Sequence, residues 1–216
     1  MTDDPGRPLA VFDFDGTLTR RDTFRMFLVT CAGGRGAILR AFARSPLLTL
    51  RGLRGGPARN RAKERMLVRV LGGRTGEEVD ALAAALARRI LEAELRPDTV
   101  ARLRWHQQEG HEVVIVSASF DRYVRAVSEA LGVGVVFATG WELDGQGRLT
   151  GRMDGPNVRG PQKAALLRRY LAGGDRFVYA YGDSVGDREL LAMADVPVLV
   201  GAGPIPPAPP GPGPGM

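Results

Sequence analysis

Leu9-Ala10-Val11-Phe12-Asp13-Phe14-Asp15-Gly16-Thr17-Leu18-Thr19 decides how the rest of the chain is read, because an apolar run passes straight into two aspartates separated by one residue. A short run without polar alternation reads as a strand covered on both faces, the setting of a parallel sheet. Two carboxylates at the end of such a strand repel each other unless a positive group lies between them. Gly16 permits a sharp exit that aims both at one point beyond the strand's carboxyl edge, where open α/β sheets bind ligands. Taken alone, the stretch also fits a strand followed by an ordinary Asp-Gly turn.

Three further segments weigh against the ordinary turn. Val113-Val114-Ile115-Val116 ends in Ser117-Ala118-Ser119, a hydroxyl among small residues where backbone N–H groups can approach an anion. Lys163 closes Gly160-Pro161-Gln162-Lys163, ahead of a helical pattern from Ala164 to Tyr170. Phe177-Val178-Tyr179-Ala180-Tyr181 runs into Gly182-Asp183-Ser184-Val185-Gly186-Asp187. In this order DxDGT, a strand-terminal Ser, a Lys and GDSxxD resemble the four motifs of the haloacid dehalogenase (HAD) superfamily of aspartate-nucleophile phosphohydrolases, and the resemblance extends to about Gly201.

The resemblance implies a division of labour. A phosphate monoester is doubly anionic near neutral pH, so a carboxylate can attack phosphorus only where metal and cationic donors mask the charge. Asp13 would be the nucleophile, forming an aspartyl-phosphate. Asp15 would be general acid to the leaving alkoxide and base for the hydrolytic water. Asp13, the backbone carbonyl of Asp15 and Asp183 would hold Mg2+, with Asp187 acting in the outer shell or through a metal-bound water. Ser117, the N–H of Ala118 and Lys163 would bind the phosphoryl oxygens. Ser117 also fits a strand-end turn residue, and Asp187 a first-turn helix acid. Lys163 stands out because Lys63 and Lys163 are the chain's only lysines, against 28 arginines.

Strand signals near Leu9 to Phe12, Val113 to Val116, Val135 to Ala138, Phe177 to Ala180 and Val196 to Val200 alternate with helical stretches, the pattern of an α/β, Rossmann-like doubly wound parallel sheet. Asp144-Gly145-Gln146-Gly147 reads as a turn joining two short strands. Between Asp22 and Arg96 strand signals vanish, and helical stretches are broken at Gly33-Gly34, Pro46, Gly55-Gly56-Pro57 and Gly72-Gly73. The expected organisation is therefore a catalytic core of residues 1–22 and 97–201, an inserted helical cap of residues 23–96, and a disordered Pro/Gly-rich tail of residues 202–216. A cap placed directly after the first motif resembles the C1 cap of HAD subfamily IB, which includes phosphoserine phosphatases.

Asn157-Val158-Arg159-Gly160-Pro161-Gln162-Lys163 follows the form N-C-x-G-x-x-K seen in that subfamily, with Val158 in place of Cys. Asp22 lies where phosphoserine phosphatases carry a Glu that reads the substrate ammonium, and Arg65 where a cap arginine would meet its carboxylate. Gly186 replaces the Asn of the phosphoserine-specific GDSxND form. These departures bear on serine specificity and leave the phosphatase chemistry intact.

Composition frames the partners. Thr23 to Gly76 holds 12 Lys or Arg against one acid, Glu64, so this segment carries about +11 of a chain whose net charge is +6. A helix over Gly36 to Arg54 would gather Arg40, Arg44, Arg51 and Arg54 within about 80° of one another, opposite Ile38, Leu39, Phe42, Leu50 and Leu53. Such a face suits an anionic membrane surface, and equally a solvated cap exterior whose apolar side packs inward. Nucleic acid has little support, since cap aromatics are sparse and form no binding motif. His106 and His111 lack metal-spaced partners, and Trp105 and Trp141 read as packing residues. With no apolar bilayer-length run, no signal peptide and a single Cys31, the cytoplasm is the expected compartment. The reading is a Mg2+-dependent phosphomonoesterase for phosphoserine or a similar small phosphorylated metabolite. A peripheral lipid-phosphate phosphatase and a noncatalytic phospho-acceptor module are the alternatives.

Overall fold

The computed structural model describes residues 6–34, 57–171, 174–201 and 203–208. In chain order the elements are β1 (Leu9–Phe12), α1 (Thr23–Cys31), α2 (Pro57–Leu71), α3 (Gly76–Arg89), α4 (Pro97–Gln108), β2 (Glu112–Phe120), α5 (Asp121–Ala130), β3 (Val135–Leu143), β4 (Leu149–Asp154), α6 (Pro161–Leu171), β5 (Val178–Gly182), α7 (Arg188–Leu191) and β6 (Val196–Leu199). Among the described residues the strands form one sheet in the order β4-β3-β2-β1-β5-β6. All neighbours are parallel except the β3–β4 hairpin.

β1 is wholly buried, as its unbroken apolar run requires. Phe12 pairs in register with Ile115 of β2 and Tyr181 of β5, so the loops after these three strands open on one edge. The chain leaves β1 for β2, β3 and β4, then returns to β5 on β1's other side. Asp13 and Asp183 thus flank the point where strand order reverses, the ligand crevice of such sheets.

The two faces of β1 serve different layers. Leu9 and Val11 pack with Val114, Val116, Leu167 and Leu190 under α6 and α7. Ala10 and Phe12 join Ile115, Tyr123 and the inserted segment's Phe27, Leu67, Leu71, Val79 and Leu86 in one continuous apolar cluster. The inserted helices therefore share the core of the sheet. Phe27 of α1 meets the rings of Phe120, Tyr123 and Trp141 at centroid distances of 6.4, 5.3 and 5.6 Å.

The expected turn at Asp144–Gly147 is present: Asp144 Oδ1 accepts from the Gln146 and Arg148 N–H groups, both at 2.9 Å, and closes the β3–β4 hairpin. That hairpin grips the insertion. Gly73 N–H donates to the Leu149 carbonyl at 3.0 Å, Leu149 N–H to the Arg74 carbonyl at 2.9 Å, and Gly76 N–H to the Gly147 carbonyl at 2.9 Å. Gly151 has φ +79°, and a Cβ there would fall 2.5 Å from the Cα of Val68, so only glycine lets α2 lie this close to β4. α3 begins with a reciprocal Thr75–Glu78 capping box and ends in Arg88 and Arg89, matching its dipole at both ends.

Of the tail, residues 203–208 are described. The Arg102 guanidinium donates to the Pro206 carbonyl, Arg96 donates to the Gly201 and Gly203 carbonyls at 2.9 and 3.2 Å, and Ile205 packs on the apolar cluster. Gly203 and Pro206 are thus each bonded by an arginine from the start or middle of α4. The Arg40, Arg44, Arg51 and Arg54 stripe lies outside the described residues. No described helix is long and apolar enough to cross a membrane.

Candidate active site

Asp13 follows β1 directly, its N–H fixed on the Tyr181 carbonyl of β5 at 2.9 Å. Its carboxylate is buried and ion-paired with Lys163 Nζ. Lys163 stands in the first turn of α6, its N–H bonded to the Gly160 carbonyl at 3.0 Å, and its ammonium also reaches Asp187 Oδ1 at 2.5 Å. The other oxygen of Asp187 accepts from the Ser184 N–H at 3.1 Å and hydroxyl at 2.8 Å. Carboxylate oxygens of Asp13, Asp183 and Asp187 all lie within 4.8 Å of one another.

Glycine makes this convergence possible. Gly16 has φ +81°, and a Cβ there would stand 2.1 Å from Asp183 Oδ2, so the Asp183 carboxylate occupies the space a side chain would need. Gly182 gives the same room to Asp187, whose Cβ would be 2.5 Å from any added methyl.

Three carboxylates crowd one ammonium here, which is ion-paired with two of them. Burial pushes the Asp13 carboxyl up to about 7; Lys163 pulls it back, while Asp187 and Asp15 add to the rise. Desolvation and then Asp187 raise Asp183. Burial also works to raise Asp187, but Lys163 and Ser184 outweigh it and hold this carboxyl below its usual value. Lys163 is disfavoured by burial, yet Asp13 and Asp187 more than compensate and keep it protonated. Hard oxygen donors with an excess of negative charge are the setting in which a small divalent cation binds.

Asp15 turns the other way. One oxygen accepts from the Thr23 N–H at 2.6 Å and hydroxyl at 2.5 Å, and the other from the Ser119 hydroxyl at 2.5 Å. Burial raises its pKa and these donors oppose the rise. Ser117 lies in β2, which continues through Phe120, and its pairing with β3 shifts register between Ser117 and Phe120. Ser117 is fully buried, and its Oγ accepts from the Ser119 N–H at 3.0 Å. The Ala118 carbonyl accepts from Thr139 Oγ1 at 3.0 Å and from Lys63 Nζ at 2.6 Å.

A family model described as haloacid dehalogenase-like hydrolase matches residues 10–192. The chain belongs to that family. It is 37% identical to Protein CicA of Caulobacter vibrioides over 90% of this chain and 87% of that one. It is 33% identical to the phosphoserine phosphatase of Streptomyces coelicolor over 53% of this chain and 28% of that one. A crystal structure of a protein with unknown function from Bordetella pertussis Tohama I has a TM-score of 0.74 at 30% identity, covering 87% of each chain. This HAD-type enzyme thus has the fold and the family that its four motifs pointed to.

In the HAD enzyme the structure brings Asp13, Lys163, Asp183 and Asp187 together, with Asp15 and Ser117 on the adjoining β1 and β2 edges. Arg65 does not join them. It is exposed on α2, whereas Lys63, two residues and about 200° away around the helix, is buried, donating to Asn157 Oδ1 at 3.1 Å and lying 4.9 and 4.7 Å from the Phe24 and Phe120 ring centroids. Asp22 is exposed and caps α1, accepting from the Arg25 N–H at 3.0 Å. Thr23, Ser119 and Lys63 escaped the sequence reading. The second hydroxyl of Ser117-Ala118-Ser119 and the scarcity of lysine were the available signals.

Proposed function

We propose that this hydrolase is a Mg2+-dependent phosphomonoesterase working through an aspartyl-phosphate on Asp13. The observation that carries the reading is the contrast between two neighbouring aspartates, Asp13 aimed at Lys163 and the acidic cluster, Asp15 held apart by neutral donors. The Asp13 oxygen attacks phosphorus as the phosphorus–alkoxide bond breaks, and Asp15 gives the leaving oxygen its proton. Water then attacks the same phosphorus, Asp15 takes a proton, and the Asp13–phosphorus bond breaks to release phosphate. Mg2+ bound by Asp13, Asp183 and the Asp15 backbone carbonyl would neutralise phosphoryl charge. Lys163 orients and neutralises from the other side, Ser117 and the Ala118 N–H bind phosphoryl oxygens, and Asp187 acts through Lys163 and the outer shell.

Phosphoserine or a similar small phosphorylated metabolite is the proposed substrate, in keeping with the similarity to a phosphoserine phosphatase. Residues 23–96 serve as its cap, with Asp22 facing the leaving group's ammonium. Lys63 fastens that cap to the Ala118 end of β2, in place of the contact expected from Arg65. The test is phosphate release from phosphoamino acids, sugar phosphates, nucleotides and lysophospholipids, with and without Mg2+. Multiple turnovers dependent on Mg2+ are expected. Stoichiometric labelling of Asp13 without turnover would make the protein a phospho-acceptor module instead.

A further inference from the structure

Arginines along the core are generally spoken for. Arg96 pairs with Asp98 at 2.9 Å, Arg122 with Asp80 at 2.5 Å and Arg176 with Glu112 at 2.6 Å, and Arg102 donates to Tyr181 Oη at 3.2 Å. Arg159 is different. It is half-buried in the loop before α6, and among the described residues its guanidinium has no ion pair and no hydrogen bond.

Its location is set by a missing side chain. A Cβ on Gly186 would lie 2.7 Å from the Arg159 Cζ and 2.9 Å from each terminal guanidinium nitrogen, so the flat face of the cation rests on the glycine. Gly186 is not among the glycines with positive φ, and its backbone would accept other residues. A side chain at Gly186 would have to displace the guanidinium, so the glycine leaves that position to Arg159. The Gly160 N–H bonded to the Gly186 carbonyl at 3.0 Å locks the two loops in this arrangement.

Gly186 adjoins Asp187 in the loop that also carries Asp183, which places Arg159 against the wall of the acidic cluster. The strongest charges acting on Asp13, however, are Lys163, Asp187 and Asp15, and those on Asp183 are Asp187, Lys163 and Asp15. Arg159 therefore lies beside the loop that carries Asp183 and Asp187, next to the acidic cluster and not among the charges that dominate it. A half-buried guanidinium with five N–H donors and no acceptor is incomplete, and a carboxylate matches its fork with two parallel bonds.

We propose that Arg159 binds a carboxylate on the leaving group, making it a specificity-determining residue, and that Gly186 is glycine to make room for it. The inference rests on the phosphomonoesterase reading and names a substrate class within it, phosphomonoesters of carboxylate-bearing alcohols. It assigns the carboxylate contact to the core loop instead of the cap.

Phosphoserine and phosphoethanolamine differ by that carboxylate, so the ratio of their kcat/KM values measures the contact. Wild type should favour phosphoserine. Arg159→Gln should shrink the ratio about tenfold to a hundredfold, the scale of a hydrogen bond to a charged group, chiefly through KM for phosphoserine. Arg159→Lys should restore part of it. Gly186→Ala should expel the guanidinium and reduce the ratio by itself, and the double variant Arg159→Gln/Gly186→Ala should lose no more than the single ones, since both remove one contact. Unchanged melting temperatures would tie these losses to binding. A wild type indifferent to the carboxylate, or a ratio unmoved by Arg159→Gln, would overturn the assignment while leaving the phosphatase reading standing. If wild type turns over neither ester nor any other monoester with Mg2+, the phosphatase reading falls and this assignment with it.

Discussion

Two buried clusters of titratable groups hang on the same pair of strands, and they handle charge in opposite ways. At the carboxyl ends of β1 and β5, Asp13, Asp187 and Lys163 are buried as ions that compensate one another. Beside the Phe12–Tyr181 stack, whose ring centroids are 4.3 Å apart, His106 shares a 2.8 Å contact between Nδ1 atoms with His111 and another through Nε2 with Tyr181 Oη. Burial pushes His106 down to about 3, with His111 and Arg102 adding to the fall, and burial also lowers His111. The first cluster offsets the cost of ions by pairing one ammonium with two carboxylates, the arrangement the proposed phosphoryl chemistry would use. The second avoids the cost by staying neutral, the solution for packing alone.

The contrast breaks most sharply at the nucleophile. Asp13→Asn should cut phosphate release more than about a hundredfold with little loss of melting temperature, because Lys163 keeps its ion pair with Asp187 and the crowded cluster loses one negative charge. A variant retaining more than a hundredth of wild-type turnover would remove Asp13 from the reaction. Asp15→Asn should lose roughly 10²–10⁴-fold, the usual scale of acid–base catalysis.

A smaller effect sharpens the difference between Asp13 and Asp15. Ser119→Ala and Thr23→Val each delete a hydroxyl that opposes the burial-driven rise of the Asp15 pKa. Its acid form should persist to higher pH, so the basic limb of the kcat/KM profile should move upward while kcat falls about tenfold, the scale of one bond to a charged group. A limb that stays in place would mean that Asp15 does not set it.

The histidine cluster should respond in stability. Below the unfolded histidine pKa of about 6.5 the unfolded chain binds protons that the native pair does not, down to about 3 for His106. Melting temperature should therefore fall as pH drops through that window, beyond the acid loss shared with carboxylates, and His106→Phe should flatten the slope. A slope identical to wild type would return the pair to charged forms. Smallest of all, Arg102→Leu loses the bonds to Tyr181 and the Pro206 carbonyl, about 1 kcal/mol, and should leave turnover unaltered.

Legibility followed how local each signal was. β1 could be read because burial on both faces leaves an unbroken apolar run, and Asp13, Asp15, Ser117, Lys163 and Asp183 because they end such runs or open the helix beside them. Thr23 and Ser119 acquire their role only when α1 is brought to β2's register shift, a long-range event no spacing encodes. Arg65 and Lys63 lie in one basic helix, and which faces inward is a matter of helix phase, fixed by Leu67 and Leu71 entering the core. The same packing joins the inserted helices to the sheet, although the sequence divides them at Asp22 and Arg96. Arg159 was visible as a letter within a motif, but its relation to Gly186 exists only in space.

The bonds from the Gly72–Gly76 turn to the β3–β4 hairpin assign the insertion a place in the hierarchy of opening motions. An insertion tethered only by its two chain ends would exchange its amide hydrogens independently of the sheet. Here the Gly73, Gly76 and Leu149 amides belong to one ladder that spans insertion and hairpin. In native-state hydrogen exchange these three are expected to open with a single shared free energy, and with the same denaturant dependence. For the proposed cap of residues 23–96, an opening would then carry the insertion and the hairpin together as one cooperative unit.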